Sequence, residues 1–172
     1  MAGLYFLTHI DLKKCLFVEA NPSLAKEFAA QMKSYQLPVE FNIENVAASG
    51  DKHGDLKFHI SENHRMSHLQ GLQEPSSPGK EVTVPSVPLR ELLKRHSFEA
   101  VDLLKMDIEG GEFEILNHDP EIFRMFRYLF VEVHGDRMLR DSFSTKVTAL
   151  GFQIQARKHS AECCEILFAE KS

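Results

Sequence analysis

Three carboxylates, Asp107, Glu109 and Glu112, crowd around the Gly110–Gly111 pair in "LLKMDIEGGEFEIL", where an apolar run stops. A second group, Glu132, His134 and Asp136, closes the apolar run of "LFVEVHGD", and Glu19 closes that of "LFVEAN". A carboxylate or an imidazole held at such a point can remove a proton from a hydroxyl, and histidine, which titrates nearest neutral pH, needs the least tuning for that work. Asp107, Glu109 and His134 are therefore the candidate catalytic bases. Each also has a plainer reading. Asp107 suits a cap on the following helix, Glu109 and Glu112 suit its positive N-terminal end, and His134 suits a strand-end turn beside Gly135. For Glu112 the helix-favouring role is the one expected. Lys105, flanked by apolar residues, is expected to extend its amine to solvent.

These residues need strands to deliver them and helices to space the strands. "KCLFVEANP" reads as a continuously apolar strand, Cys15 to Val18, buried on both faces as in a parallel sheet. Asn21 then suits an N-cap and Pro22 a first helical position, with Leu24, Phe28 and Met32 at helical spacing up to Tyr35. One further strand is read through "PVEFNIENVAA", where Val39, Phe41 and Ile43 alternate with polar residues. A short strand follows around Leu56 to Ile60, then a loop by composition through "ENHRMSHLQGLQEPSSPGKE". A brief extended piece leads to a helix from Leu89 to Arg95. Strand Val101 to Met106, helix Glu112 to Leu116, strand Tyr128 to Val133 and helix Asp141 to Leu150 come next. "GFQIQARK" and "CEILFAE" close the chain as a hairpin. Strands alternating with helices predict an α/β fold, a mostly parallel sheet with flanking helices and an antiparallel C-terminal edge.

In such sheets ligands gather at the carboxyl ends of the strands. Glu19, at one of them, can accept hydrogen bonds from two adjacent ribose hydroxyls, because a carboxylate is acceptor-only. A solvated strand-end charge is the equal alternative. His59, His64 and His68 in "HISENHRMSH" offer metal ligands, but the H-E-x-x-H pattern is absent and a covering loop over the acceptor is the preferred reading. No metal is expected.

With 172 residues, the chain suits one domain with one core, burying roughly 70% of its unfolded surface. A net charge of −5 gives no footprint for nucleic acid. Cys15, Cys163 and Cys164 make an odd set without C-x-x-C spacing, so neither a disulfide framework nor a zinc knuckle is indicated. The start, "MAGLYFLTHIDLKK", lacks the basic region and cleavage site of a signal peptide, and no apolar run reaches membrane-spanning length. A soluble, cytoplasmic protein is the expectation.

"DLLKMDIEGGEFEIL" resembles the signature segment of the FkbM-type methyltransferases, S-adenosylmethionine-dependent enzymes with a class I, Rossmann-like fold. The likeness extends to "FVEANPSL", "NVAASGDKHGDLKFHI", "VPSVPLRELL" and "LFVEVHGD", in that order along most of the chain. It implies that Glu19, Asn21, Ala47 and Asp107 contact the cofactor, with Val46 to Ser49 near the adenine, and that Asp107, Glu109 and Glu112 face Glu132 and His134 across the cleft. It implies, too, O-methylation of a hydroxyl on a small molecule or sugar.

The chain departs from the family in one respect. None of its nine glycines forms the G-x-G turn that lets the backbone approach the cofactor's methionine end, and only Gly3 precedes the Glu19 strand. The expectation is a single domain over residues 1–172 that is N-terminally incomplete, its central first strand missing or truncated. A sheet so interrupted predicts self-association, a homo-oligomer through exposed strand edges. The alternative function is a catalytically inactive methyltransferase-like scaffold or binding module.

Overall fold

The computed structural model describes residues 12–35, 39–61, 68–69, 79–161 and 163–172. Over those residues the chain is mixed α/β, with three sheets and several helices. Strand β1 (Lys14–Val18) leads into helix α1 (Pro22–Tyr35) and strand β2 (Glu40–Glu44), and β1 and β2 pair in parallel from Lys14 opposite Glu40 to Val18 opposite Glu44. Asn21 caps α1 as expected, its Oδ1 accepting from the amides of Ser23 and Leu24 at 3.0 and 3.4 Å. Inside this unit Phe17 of β1 meets Phe28 of α1, ring centroids 4.6 Å apart.

The strand expected to run from Val39 through Ala48 is two strands in two sheets. β2 ends at Glu44, and the Asn45 side chain turns back to donate to the carbonyls of Glu19 and Ala20 at 2.7 and 3.2 Å. β3 (Ala47–Ser49) then leaves to pair in parallel with β6 (Gly79–Pro88). β6 also runs antiparallel to β4 (Gly54–Ser61), which carries the two-residue β5 (His68–Leu69) on its other edge. This second sheet is larger than the short strand and extended piece read from the sequence. Its antiparallel pairings make the protein mixed rather than mostly parallel.

The third sheet has the order β7-β8-β10-β9. After helix α2 (Leu89–Arg95), β7 (Val101–Met106) lies parallel to β8 (Phe126–His134), with α3 (Gly111–His118) and a short 3-10 helix (Pro120–Met125) crossing between them. Helix α4 (Arg137–Ala149) starts four residues before the expected Asp141, because Asp136 N-caps it by accepting from the Leu139 amide at 2.9 Å. β9 (Phe152–Ala161) and β10 (Cys164–Lys171) form the expected antiparallel hairpin, and β10 also pairs antiparallel with β8.

The main core lies against this third sheet. Leu89, Leu93, Met106, Ile115, Leu116, Phe123, Phe126, Val131, Phe143, Val147 and Phe152 are buried together, and Phe143 packs edge-on to Phe113 and Phe123 at 5.6 and 6.4 Å. Apolar rows three and four apart on α3 and α4 supply the faces that cover the sheet. At one edge Arg157 of β9 clamps Glu165 of β10 through both oxygens, at 2.9 and 2.8 Å, and reaches Asp141 of α4 at 2.7 Å. Leu16 of β1 packs against this core and against a smaller cluster of Val46, Val87 and Leu92. Among the described residues no ladder joins β1 to β7. No helix among them is long and apolar enough to cross a membrane.

Candidate active site

The carboxyl end of β7 delivers Asp107, and the chain then turns through Glu109 and Gly110 into α3. Both turn residues have positive φ, +53° at Glu109 and +100° at Gly110. Gly110 adopts that conformation without a Cβ penalty, and it is the N-cap of α3, with no side chain capping it. Asp107 is therefore not the helix cap. Instead its Oδ2 pairs with Lys105 Nζ at 2.9 Å, so the lysine expected to point into solvent neutralises the neighbouring acid.

Glu112 has none of its surface exposed. Its Oε2 accepts from the Gly110 amide at 3.0 Å, which is the helix-favouring role expected of it. Its Oε1 does something the sequence did not announce. That oxygen accepts from the His134 amide at 2.7 Å and lies 3.0 Å from His134 Nδ1. His134, buried at the end of β8, turns its other nitrogen outward, Nε2 lying 3.3 Å from Glu109 Oε2. Burial alone would push the His134 imidazole down, but the hydrogen bond to Glu112 and the fields of Glu112, Glu109 and Asp107 hold it above the ordinary histidine value. Burial pushes the Glu109 carboxyl up; the His134 field opposes this, while Asp107, Glu112 and Glu132 reinforce it.

Asp107, Glu109 and His134 thus come together, with ligand-type atoms all within 4.8 Å of one another. Glu132, on the same strand as His134, joins through its field on Glu109. A carboxylate–carboxylate–imidazole set of this kind also suits a divalent cation, but the Lys105 ammonium already supplies positive charge beside Asp107. Asp51, Glu114 and His118 form a second such set on the surface, with Lys52 Nζ 4.0 Å from Glu114. His64 lies outside the described residues.

Glu19 stands at the carboxyl end of β1, half-buried, with Oε1 accepting from the Asn21 amide at 2.8 Å. Burial pushes its carboxyl up, the Asn21 hydrogen bond opposes that, and the charges of Asp107 and Lys105 both reach it. The ends of β1 and β7 therefore lie within electrostatic range of each other. Asn21 is buried beside it, and its Nδ2 has no hydrogen-bond partner among the described residues. Ala47 is buried in β3 with Phe58 and Val84, in a cluster that Ala20 joins.

The residue that sequence reasoning undervalued is Glu112. An acid one turn before Ile115 and Leu116, on the apolar side of a short helix, was the available signal, because such a side chain is buried with its helix face and must find donors there.

No curated protein and no solved structure matches the chain. The sequence profile described as the methyltransferase FkbM domain matches residues 4–154, nearly the whole chain, from before β1 into β9. The chain that places Glu109 and Glu112 around the His134 imidazole therefore belongs to the FkbM methyltransferase family.

Proposed function

We propose that the protein is an S-adenosylmethionine-dependent methyltransferase that methylates a hydroxyl on a small molecule or sugar. The observation that carries this reading is His134, held inward by a buried carboxylate and turned by Nε2 toward Glu109, at the end of the strand that follows the Asp107 strand. Such a group removes a proton from an acceptor hydroxyl as the oxygen becomes a nucleophile. Asp107 and Glu109 orient the acceptor, and positioning supplies much of the rate.

The residues suit the cofactor in two respects. Glu19 offers acceptor oxygens for a ribose diol, and buried Asn21 Nδ2 is a donor still lacking an acceptor among the described residues. Glu19 and Glu109 place negative charge where a sulfonium cation would be favoured. When bound, S-adenosylmethionine supplies an electrophilic methyl carbon whose leaving group is a neutral thioether. The pair β2-β1 and the sheet β7-β8-β10-β9 are then the two flanks of one Rossmann-like arrangement; Leu16 packing on the main core and the charge contact between Glu19 and Asp107 support that reading.

Calorimetric titration with S-adenosylmethionine, followed by transfer of an isotopically labelled methyl group to a panel of sugars and hydroxylated metabolites, tests the proposal. Binding and transfer are expected. Among the described residues no ladder joins β1 to β7, which favours a second reading, a scaffold or binding module without catalysis, and no binding at millimolar cofactor selects it.

A further inference from the structure

We propose that Glu112 is a positioning residue: its buried carboxylate fixes the His134 imidazole with the Nδ1 proton directed inward, leaving Nε2 as the atom that takes the acceptor's proton. The inference rests on the methyltransferase reading for its reaction, though not for its geometry. Both Glu112 oxygens accept backbone amide protons, from His134 at 2.7 Å and from Gly110 at 3.0 Å. As a carboxylate Glu112 is acceptor-only, so the 3.0 Å contact between Oε1 and Nδ1 is donated by the imidazole. A ring with its proton on Nδ1 presents a lone pair at Nε2, the nitrogen 3.3 Å from Glu109.

The proton step follows. The acceptor's O–H bond breaks, its electron pair stays on oxygen, and the proton goes to Nε2. The resulting imidazolium lies between the Glu112 and Glu109 carboxylates, which stabilise the charge as it forms. The charged and titratable groups around the ring come from every neighbouring element. Asp107 and Glu109 face it from the end of β7 and the turn, Glu112 from α3, and Glu132 from its own strand. Cys164 stands opposite it on β10, and Arg140 of α4 donates to the adjacent Gly135 carbonyl at 2.7 Å. Of these, Glu112 meets Nδ1 at hydrogen-bond distance, 3.0 Å.

The test uses the full chain with ring-¹⁵N histidine, read by NMR for tautomer and titration midpoint, beside methyl-transfer kinetics. The parent should show the Nδ1–H tautomer for neutral His134. In Glu112→Gln that preference should be lost and the midpoint should fall, with turnover down about 10²- to 10⁴-fold and cofactor affinity unchanged. Glu112→Asp, which keeps the charge, should recover part of the turnover and of the midpoint. An Nε2–H tautomer in the parent overturns the proposal even if the glutamine variant fails to fold. A glutamine variant with an unaltered tautomer and midpoint overturns it equally. If the nitrogen signals respond as expected but no methyl transfer occurs in any variant, the methyltransferase reading fails while the orientation of His134 by Glu112 stands.

Discussion

Oε2 of Glu109 lies 3.3 Å from Nε2 of His134, and Glu109 reaches that position from a left-handed backbone, φ +53°. A non-glycine residue held there costs free energy that the surroundings must offset, and such residues gather at working sites. The strain sets the carboxylate beside the nitrogen assigned to proton removal.

The pairing fixes the direction of a pH profile. His134 is held above the ordinary histidine value by Glu112, Glu109 and Asp107, against the opposing effect of burial. A base must be neutral to act, so methyl transfer should rise with pH and its acid limb should have a midpoint above the ordinary value near 6.5. Glu109→Gln removes one of the carboxylates that favour the imidazolium and should move that limb to lower pH. A limb that stays in place in rate measurements across pH would show that Glu109 does not act on His134.

Glu19 is predicted to carry the ribose end of the cofactor. Hydrogen bonds to a charged group contribute about 1.5–3 kcal/mol, so Glu19→Ala should weaken S-adenosylmethionine binding roughly 10- to 150-fold. Calorimetry measures it directly, and an unchanged affinity would remove Glu19 from the cofactor site.

Gly110 takes φ +100° at the N-cap of α3. An L side chain there is strained by about 1–2 kcal/mol. Gly110→Ala should lower the denaturation midpoint accordingly and, by disturbing the amide that Glu112 Oε2 accepts, also reduce turnover. Chemical denaturation and kinetics on one preparation separate the two losses.

The Arg157 cluster predicts how stability falls in acid. The hydrogen bond from Arg157 holds the Glu165 carboxyl below its ordinary value, and the same guanidinium depresses Asp141. A depressed carboxyl contributes stability that is present above its unfolded pKa and lost as pH falls through its folded pKa. Below about pH 4 the parent should therefore lose stability more steeply than Arg157→Met. At neutral pH that variant should itself be about 1–3 kcal/mol less stable, because the buried Glu165 loses its bidentate donor. Urea denaturation at several pH values measures both effects.

Much of this was legible in the sequence because the signals were local. Asn-Pro marked the start of α1, continuous apolar runs marked β1, β7 and β8, and acids at strand ends marked Glu19, Asp107 and Glu109. What stayed hidden depended on contacts distant along the chain. The break between β2 and β3 is made by Asn45 bonding to carbonyls of Glu19 and Ala20, which no alternation pattern displays. The start of α4 was obscured by the exposed Met138 and Leu139, which interrupt the expected periodicity. The hold of Glu112 on His134 spans 22 residues and exists only once α3 lies across the end of β8.

All the buried residues of the main core fall between Leu89 and Ala169, one continuous half of the chain. Among the described residues β1 and β2, by contrast, form a sheet of two strands, and such pairs are marginal without support. Amide hydrogens of β8, β10 and α4 should accordingly exchange at the rate of global unfolding, while those of β1 and β2 exchange through a cheaper local opening. Glu19 therefore rides on the part of the molecule that opens first, and His134 on the part that opens last. A molecule bridging the two would slow exchange in β1 and β2 far more than in β8.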